Sequence, residues 1–213
     1  KMTRHRNSSS SVCASAMSAA ADDPRPPPER RPGDERLVET RVDGECVFDG
    51  RLLHARRDTV RLPDGGTATR EYVAHPGAVL ILPVRDDGRL VVERQFRYPL
   101  DRVFLEFPAG KLDPGESPLE TARRELVEEA GFTARTWTPL GVIHPVISYS
   151  TERIELWLAE GLEHVGSKLD PGEFLEIVAL TEDELLAAWD RGEVTDAKTV
   201  AALFAWRRRR GLG

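Results

Sequence analysis

Cysteine is scarce in this chain: only Cys13 and Cys46 occur. They form no Cys-x-x-Cys pair, and Cys13 lies in a serine-rich lead-in, so neither a disulfide framework nor a zinc-ligand set is indicated. Long apolar runs are also missing. None approaches the roughly 20 residues needed to cross a bilayer, so no membrane partner is expected. There is no surplus of positive charge either. Lys and Arg number 30 against 36 Asp and Glu, for a net charge of −6. A phosphate backbone demands a basic surface, so no nucleic-acid partner is expected. The terminal run Arg207, Arg208, Arg209 and Arg210 does not reverse this. Four cations at a helix end suit the helix dipole and solubility. An acidic protein that takes a phosphorylated substrate calls for a bridging cation.

Acidic residues are absent from positions 1–21, where Ser8, Ser9, Ser10 and Ser11 are consecutive. This composition is that of a transit peptide, but the amphipathic apolar stripe is lacking, and Met17 offers an alternative start. Pro24, Pro26, Pro27, Pro28 and Pro32 then rule out helix and sheet ladders. Residues 1–35 therefore read as a disordered tail. Residues 36–75 read as a small N-terminal antiparallel sheet of three short strands. Val38, Thr40 and Val42 alternate with charged residues, 47–53 surrounds the Asp49-Gly50 turn, and 59–62 runs into Pro63-Asp64-Gly65-Gly66, a reversal signal.

The character changes in residues 76–213. The apolar run 78–84 predicts a central strand covered on both faces. Asp87-Gly88 predicts a hairpin turn, with 89–93 returning and 103–107 a further strand. A helix is punctuated by Ser117 as its cap, Pro118 in the first helical position, Glu120 completing a capping box, and Gly131 as its stop. Strands follow at 141–143, 153–158 and 176–180. Thr181 with Glu184 caps a helix to Trp189, and a last helix covers about 196–209. Strands on both sides of a central helix predict an α/β sandwich.

The helix at 117–131 carries the chemistry. Leu119, Ala122, Leu126 and Ala130 make a stripe that should pack on the sheet. Glu125, Glu128 and Glu129 crowd a neighbouring face over an arc of about 100°. Carboxylates that close repel one another, and a helix that gathers them is suited to hold a divalent cation. Hard oxygen ligands favour Mg²⁺ or Mn²⁺ over zinc. The alternative is a solvated acidic face with a simple Arg124–Glu128 ion pair.

The surrounding sequence decides between them. Gly110-Lys-Leu-Asp-Pro-Gly-Glu116, seven further residues, and Arg124-Glu-Leu-Val-Glu-Glu-Ala-Gly-Phe132 match the Nudix box GX5EX7REUXEEXGU at every specified position. The chain thus resembles the Nudix hydrolases. The resemblance implies an αβα sandwich with a mixed central sheet, and hydrolysis of a nucleoside diphosphate linked to another group. It makes Glu125 and Glu129 direct metal ligands. Glu128 becomes a ligand or the group that orients the attacking water, with Glu116 in support. It makes the Ala109 carbonyl a further ligand and gives Arg124, Gly110 and Gly131 structural roles.

Outside the box, Arg94-Gln-Phe-Arg-Tyr98, Leu105-Glu-Phe-Pro-Ala-Gly110, Thr151-Glu-Arg-Ile154 and Asp196-Ala-Lys-Thr199 are similar to the ADP-ribose pyrophosphatases and their GDP-mannose-cleaving relatives. This likeness implies a small-molecule nucleotide-sugar substrate, ADP-ribose in the first place. It also implies a homodimer built through the N-terminal sheet, and a cytoplasmic location. It suggests Arg97, Glu106 and Glu152 for substrate contacts. The catalytic base is expected in the loop at 166–174, with Glu173 first and Asp170 second. The Ser-Pro-Gly element common in ADP-ribose pyrophosphatases is replaced here by His144-Pro-Val-Ile-Ser148. This departure keeps GDP-mannose or a broader nucleotide-sugar range open as the alternative. A non-catalytic module that senses ADP-ribose is the alternative from a different class.

Overall fold

A computed structural model describes Arg25, residues 29–169, Gly172 and residues 174–212. The expectations for residues 1–24, Asp170 and Glu173 lie outside the described residues. The described chain divides into two compact units, the second made of Pro76–Pro145 and Glu152–Gly213.

The first unit holds β1 (Thr40–Asp49), β2 (His54–Arg61) and β3 (Thr67–Ala74) in one antiparallel sheet of that order. Its two reversals fall where the Gly-rich turns place them, closed by Gly50 N to Leu53 O at 2.9 Å and Leu62 N to Gly66 O at 2.8 Å. The strand bounds differ from the sequence reading. Val47 belongs to β1, and the third strand follows the reversal at 63–66. The lead-in also departs from an extended chain, because Asp34–Arg36 forms a 3-10 turn. One polar pin lies inside the sheet. Asp58, 1% exposed, accepts from the Tyr72 hydroxyl at 3.2 Å and pairs with Arg41 at 3.2 Å. Residues Val146–Thr151 belong to this unit, with Val73 N donating to Tyr149 O at 2.9 Å.

The second unit contains β4 (Ala78–Val84), β5 (Leu90–Arg97), β6 (Arg102–Glu106), β7 (Ala109–Lys111), β8 (Phe132–Ile143), β9 (Ile154–His164) and β10 (Leu175–Leu180), with helices α1 (Pro118–Glu128), α2 (Glu182–Asp190) and α3 (Ala197–Arg209). The strand path is β10-β5-β4-β9-β8, with β6 on β5 and β7 on β4. Only β4 and β9 run parallel, so the sheet is mixed.

The run at 78–84 explains the layering. Val79 and Ile81 face one side, where they meet Ala122, Leu126 and Ala130 from the α1 region. Leu80 and Leu82 face the other, against Leu185 and Ala188 of α2 and Ala202, Leu203 and Trp206 of α3. Successive side chains of a strand point to opposite faces. One continuous apolar segment therefore serves two cores, and the result is the αβα sandwich.

Strand β8 is much longer than residues 141–143. Its polar alternation and Pro139 hide it, and both are tolerated because β8 ends the strand path and bulges between Pro139 and Gly141. The same half-buried pattern lengthens β9 to His164.

The two central strands diverge. β4 meets β5 at Val84↔Leu90, whereas its start pairs with β7 at Ala78↔Lys111. β5 leaves β4 and takes β6 as its partner, while β10 stays paired on its other side. The gap between them is where the functional residues collect.

Candidate active site

Helix α1 is fixed at both ends. Ser117 Oγ accepts from Glu120 N at 3.4 Å, and Ser117 N donates to the Glu120 carboxylate at 2.9 Å. At the other end Gly131 has φ +75, and a Cβ there would lie 2.7 Å from Ser167 N and 2.9 Å from Gly166 C. Both the left-handed backbone and the close passage of the loop require glycine. That loop is tied to the helix end by Val165 N to Gly131 O at 2.8 Å and Lys168 N to Glu128 O at 3.0 Å.

Three carboxylates gather around one guanidinium. Arg124 lies 2.9 Å from Glu125, 2.8 Å from Glu128 and 3.0 Å from Glu116. The hydrogen bond to Glu116 raises the Arg124 pKa most, and it overcomes the opposing effect of burial. Glu116 is in turn held below the usual carboxylate range by hydrogen bonds from Arg124 and the Thr121 hydroxyl. Glu129 is 6% exposed and accepts from Ala109 N at 3.0 Å. Gly110 leaves space for Glu125, since a Cβ there would lie 2.6 Å from Glu125 Cγ and closer still to its carboxylate.

A second charged cluster comes from β5, β6 and α3. Glu93 and Glu106 are cross-strand partners at 0% and 2% exposure. The Arg97 guanidinium bonds both oxygens of Glu106, at 2.7 and 2.8 Å. Lys198 Nζ reaches Glu106 at 2.5 Å and Asp196 at 2.9 Å. Burial pushes Glu106 upward, but the hydrogen bond from Arg97 and the charge of Lys198 outweigh it and leave the pKa lowered. Burial likewise pulls Lys198 down, while Glu106 and Asp196 hold it raised. Arg97 is raised against burial by Glu106, with smaller contributions from Glu93 and Glu129. Arg97 therefore lies within the field of both clusters.

The two clusters face a cleft of about 470 Å³ lined by Arg97, Lys198, Arg124 and the α1 glutamates, with Glu152 and Ala109 on its walls. The expected substrate contacts divide here. Arg97 and Glu152 line the cleft, whereas Glu106 is buried behind Arg97. The sequence reading gave no role to Glu93, Asp196 or Lys198, and none to Gln95. The Gln95 amide oxygen is buried at the cleft wall with no hydrogen-bond partner among the described residues. The available signals were a charged residue inside the apolar run of β5 and the Asp-x-x-Thr cap of α3.

The lining carries five carboxylates (Asp113, Glu125, Glu128, Glu129, Glu152) against four cations (Arg97, Lys111, Arg124, Lys198). A diphosphate entering such a cleft needs added positive charge. The carboxylates of this lining are hard oxygen donors of the kind a divalent cation takes. No three of the described His, Cys, Asp or Glu side chains converge on one point as a metal requires. Arg124 accounts for this, because its guanidinium holds Glu116, Glu125 and Glu128 around itself.

Fold and cleft together define an αβα-sandwich protein with a cleft lined by carboxylates and cations. The chain belongs to the Nudix family, whose domain matches residues 74–203. The nucleoside diphosphate sugar hydrolase N-terminal domain matches residues 39–73. An ADP-ribose pyrophosphatase of Bacillus subtilis (strain 168) is 40% identical over 169 residues, covering 78% of this chain and 91% of that protein. A methanol dehydrogenase activator of Bacillus methanolicus is 37% identical over 172 residues, covering 80% and 91%. The crystal structure of an ADP compounds hydrolase is similar at a TM-score of 0.73 and 28% identity, covering 82% of this chain and 97% of that one.

Proposed function

We propose that the protein hydrolyses the diphosphate of ADP-ribose to AMP and ribose 5-phosphate with Mg²⁺, Mn²⁺ being able to substitute. The observation that carries this reading is the cleft itself, which sets the carboxylate wall of α1 opposite the Arg97 guanidinium. The similarity to an ADP-ribose pyrophosphatase over nearly its whole length supports the choice of substrate. Glu125, Glu129, Glu128 and the Ala109 carbonyl would hold the cation, with Glu116 behind them. A bound divalent cation neutralises the diphosphate and acidifies the water it coordinates. Arg97 binds a phosphate oxygen, and Glu152 orients the sugar end. Water attacks one phosphorus, the bridging P–O bond breaks, and the water proton passes to a carboxylate. We assign that role to Glu173, with Glu128 orienting the water. The described start of this loop lies against the end of α1, with Lys168 N donating to Glu128 O at 3.0 Å.

The test is incubation with ADP-ribose and Mg²⁺, with AMP measured by chromatography beside GDP-mannose, ADP-glucose, NADH and diadenosine polyphosphates. AMP from ADP-ribose at the highest kcat/KM of the panel is expected. No AMP above background rejects the enzyme reading, and a preference for GDP-mannose moves it to the alternative substrate.

We also propose a homodimer formed through the N-terminal sheet. Phe48, Leu52 and Leu53 of this unit are 56%, 61% and 50% exposed, apolar side chains that a second copy would cover. Light scattering that gives a monomer mass would remove this proposal.

A further inference from the structure

The first turn of α3 grips the end of β6 from 92 positions away in sequence. Thr199 Oγ1 accepts from Phe107 N at 3.1 Å and donates to Asp196 at 2.6 Å. Lys198 Nζ holds the adjacent Glu106 carboxylate. Asp196 is at once the cap of α3, accepting from Thr199 N at 3.0 Å, and the second carboxylate on Lys198. The Lys198 side chain is 16% exposed, that of Asp196 19%, and that of Glu106 2%. The Arg97 side chain, by contrast, is 40% exposed.

The consequence lies in how charge is shared. Glu106 is a buried anion with two cationic partners. Were Lys198 neutral, Glu106 would be left with Arg97 alone, and the guanidinium would be drawn fully into the buried pair. A buried ion pair that loses one partner leaves an uncompensated charge, and the remaining partner must answer it. With Lys198 in place, part of the Glu106 charge is already met, so Arg97 keeps positive potential to offer into the cleft. We propose that Lys198 is a positioning residue that keeps Arg97 available to the diphosphate by neutralising Glu106, and that Asp196 tempers this effect by competing for the same ammonium. The proposal rests on the reading of the cleft as a diphosphate site, but not on which sugar the substrate carries.

Two substitutions then act in opposite directions. Lys198→Gln weakens diphosphate binding. Asp196→Asn strengthens it, since asparagine still caps α3 while Lys198 is left to Glu106. A merely structural role would weaken both. The assay is calorimetric titration of the full-length protein with inorganic diphosphate and Mg²⁺, with thermal unfolding as the check on folding. Lys198→Gln is expected to raise Kd about tenfold, the scale of one charge-assisted contact. In the substrate assay it should act on KM more than on kcat. Adding Glu106→Gln to Lys198→Gln should recover most of the diphosphate affinity, because the carboxylate that grips the Arg97 guanidinium directly is then gone. Asp196→Asn is expected to lower Kd about threefold, roughly 0.7 kcal/mol. Wild-type affinity in Lys198→Gln, or a double variant that binds more weakly than the single one, overturns the proposal. If Lys198→Gln does not fold, Asp196→Asn carries the test, and weaker or unchanged binding there overturns it. Failure of wild-type protein to release AMP from ADP-ribose, with these diphosphate affinities intact, rejects the substrate assignment and leaves the Lys198 proposal standing.

Discussion

Replacing Gly110 by alanine adds one methyl group to the wall of the cleft. Gly110 lies in β7 opposite Val79 and is not among the residues with positive φ, so the backbone accepts alanine without strain. The new Cβ would lie 2.6 Å from Glu125 Cγ and overlap its carboxylate. A Glu side chain can swing away, and the structural cost is then the lost Arg124 contact at 2.9 Å, worth about 1 kcal/mol. Loss of chain entropy in the unfolded state returns about 0.4–1 kcal/mol. Net stability should therefore change by no more than about 1 kcal/mol, a shift of a few degrees in melting temperature for a domain of this size. Activity should respond very differently. A Glu125 turned out of the cleft removes one anionic ligand, and the expected loss in kcat is about a hundredfold, or roughly 2.7 kcal/mol. The dependence on Mg²⁺ should shift to higher concentration in parallel. AMP release at saturating substrate over a range of Mg²⁺, beside a thermal melt, reads both effects. A variant that folds and keeps kcat within about threefold of wild type at the same Mg²⁺ midpoint would refute the placement of Glu125 as a ligand.

Glu129→Gln should leave the fold intact and reduce turnover at least about a hundredfold, with near-normal rates rejecting its ligand role. Leu126→Ala empties a fully buried position beneath α1 and should cost about 3 kcal/mol in denaturant unfolding; a loss below about 1 kcal/mol would mean that α1 is not packed on the sheet as described. Glu106 and Asp196 both have pKa values lowered on folding. Their contribution is present above the unfolded carboxylate pKa and is lost as the pH falls through the folded values. Melting temperature should thus drop on acidification through the carboxylate range, and Glu106→Gln should flatten that drop. An equally steep acid dependence in the variant would remove Glu106 as a source.

Much of this protein was legible locally. Ser117, Pro118 and Glu120 announce the start of α1, and Gly131 its end, because capping and left-handed turns depend on residues a few positions apart. The run at 78–84 announces a strand buried on both faces, since only such a strand can be apolar at every position. The glutamate spacing in α1 announces a carboxylate face for the same local reason. Strand β8 was not legible, because its place at the end of the strand path, rather than its own residues, permits Pro139 and the polar alternation.

Residue spacing along α1 was enough by itself to determine the acidic face and the helix that bears it. Only tertiary structure decided what opposes that face. Glu106 reads in sequence as a substrate contact, yet the antiparallel pairing of β5 with β6 sets it behind Arg97, and α3 brings Lys198 to it from the far end of the chain. Charges that meet across strands and helices are coupled through the low-dielectric interior. The partition of Glu106 between Arg97 and Lys198 is a property of the packed sheet and of no single segment.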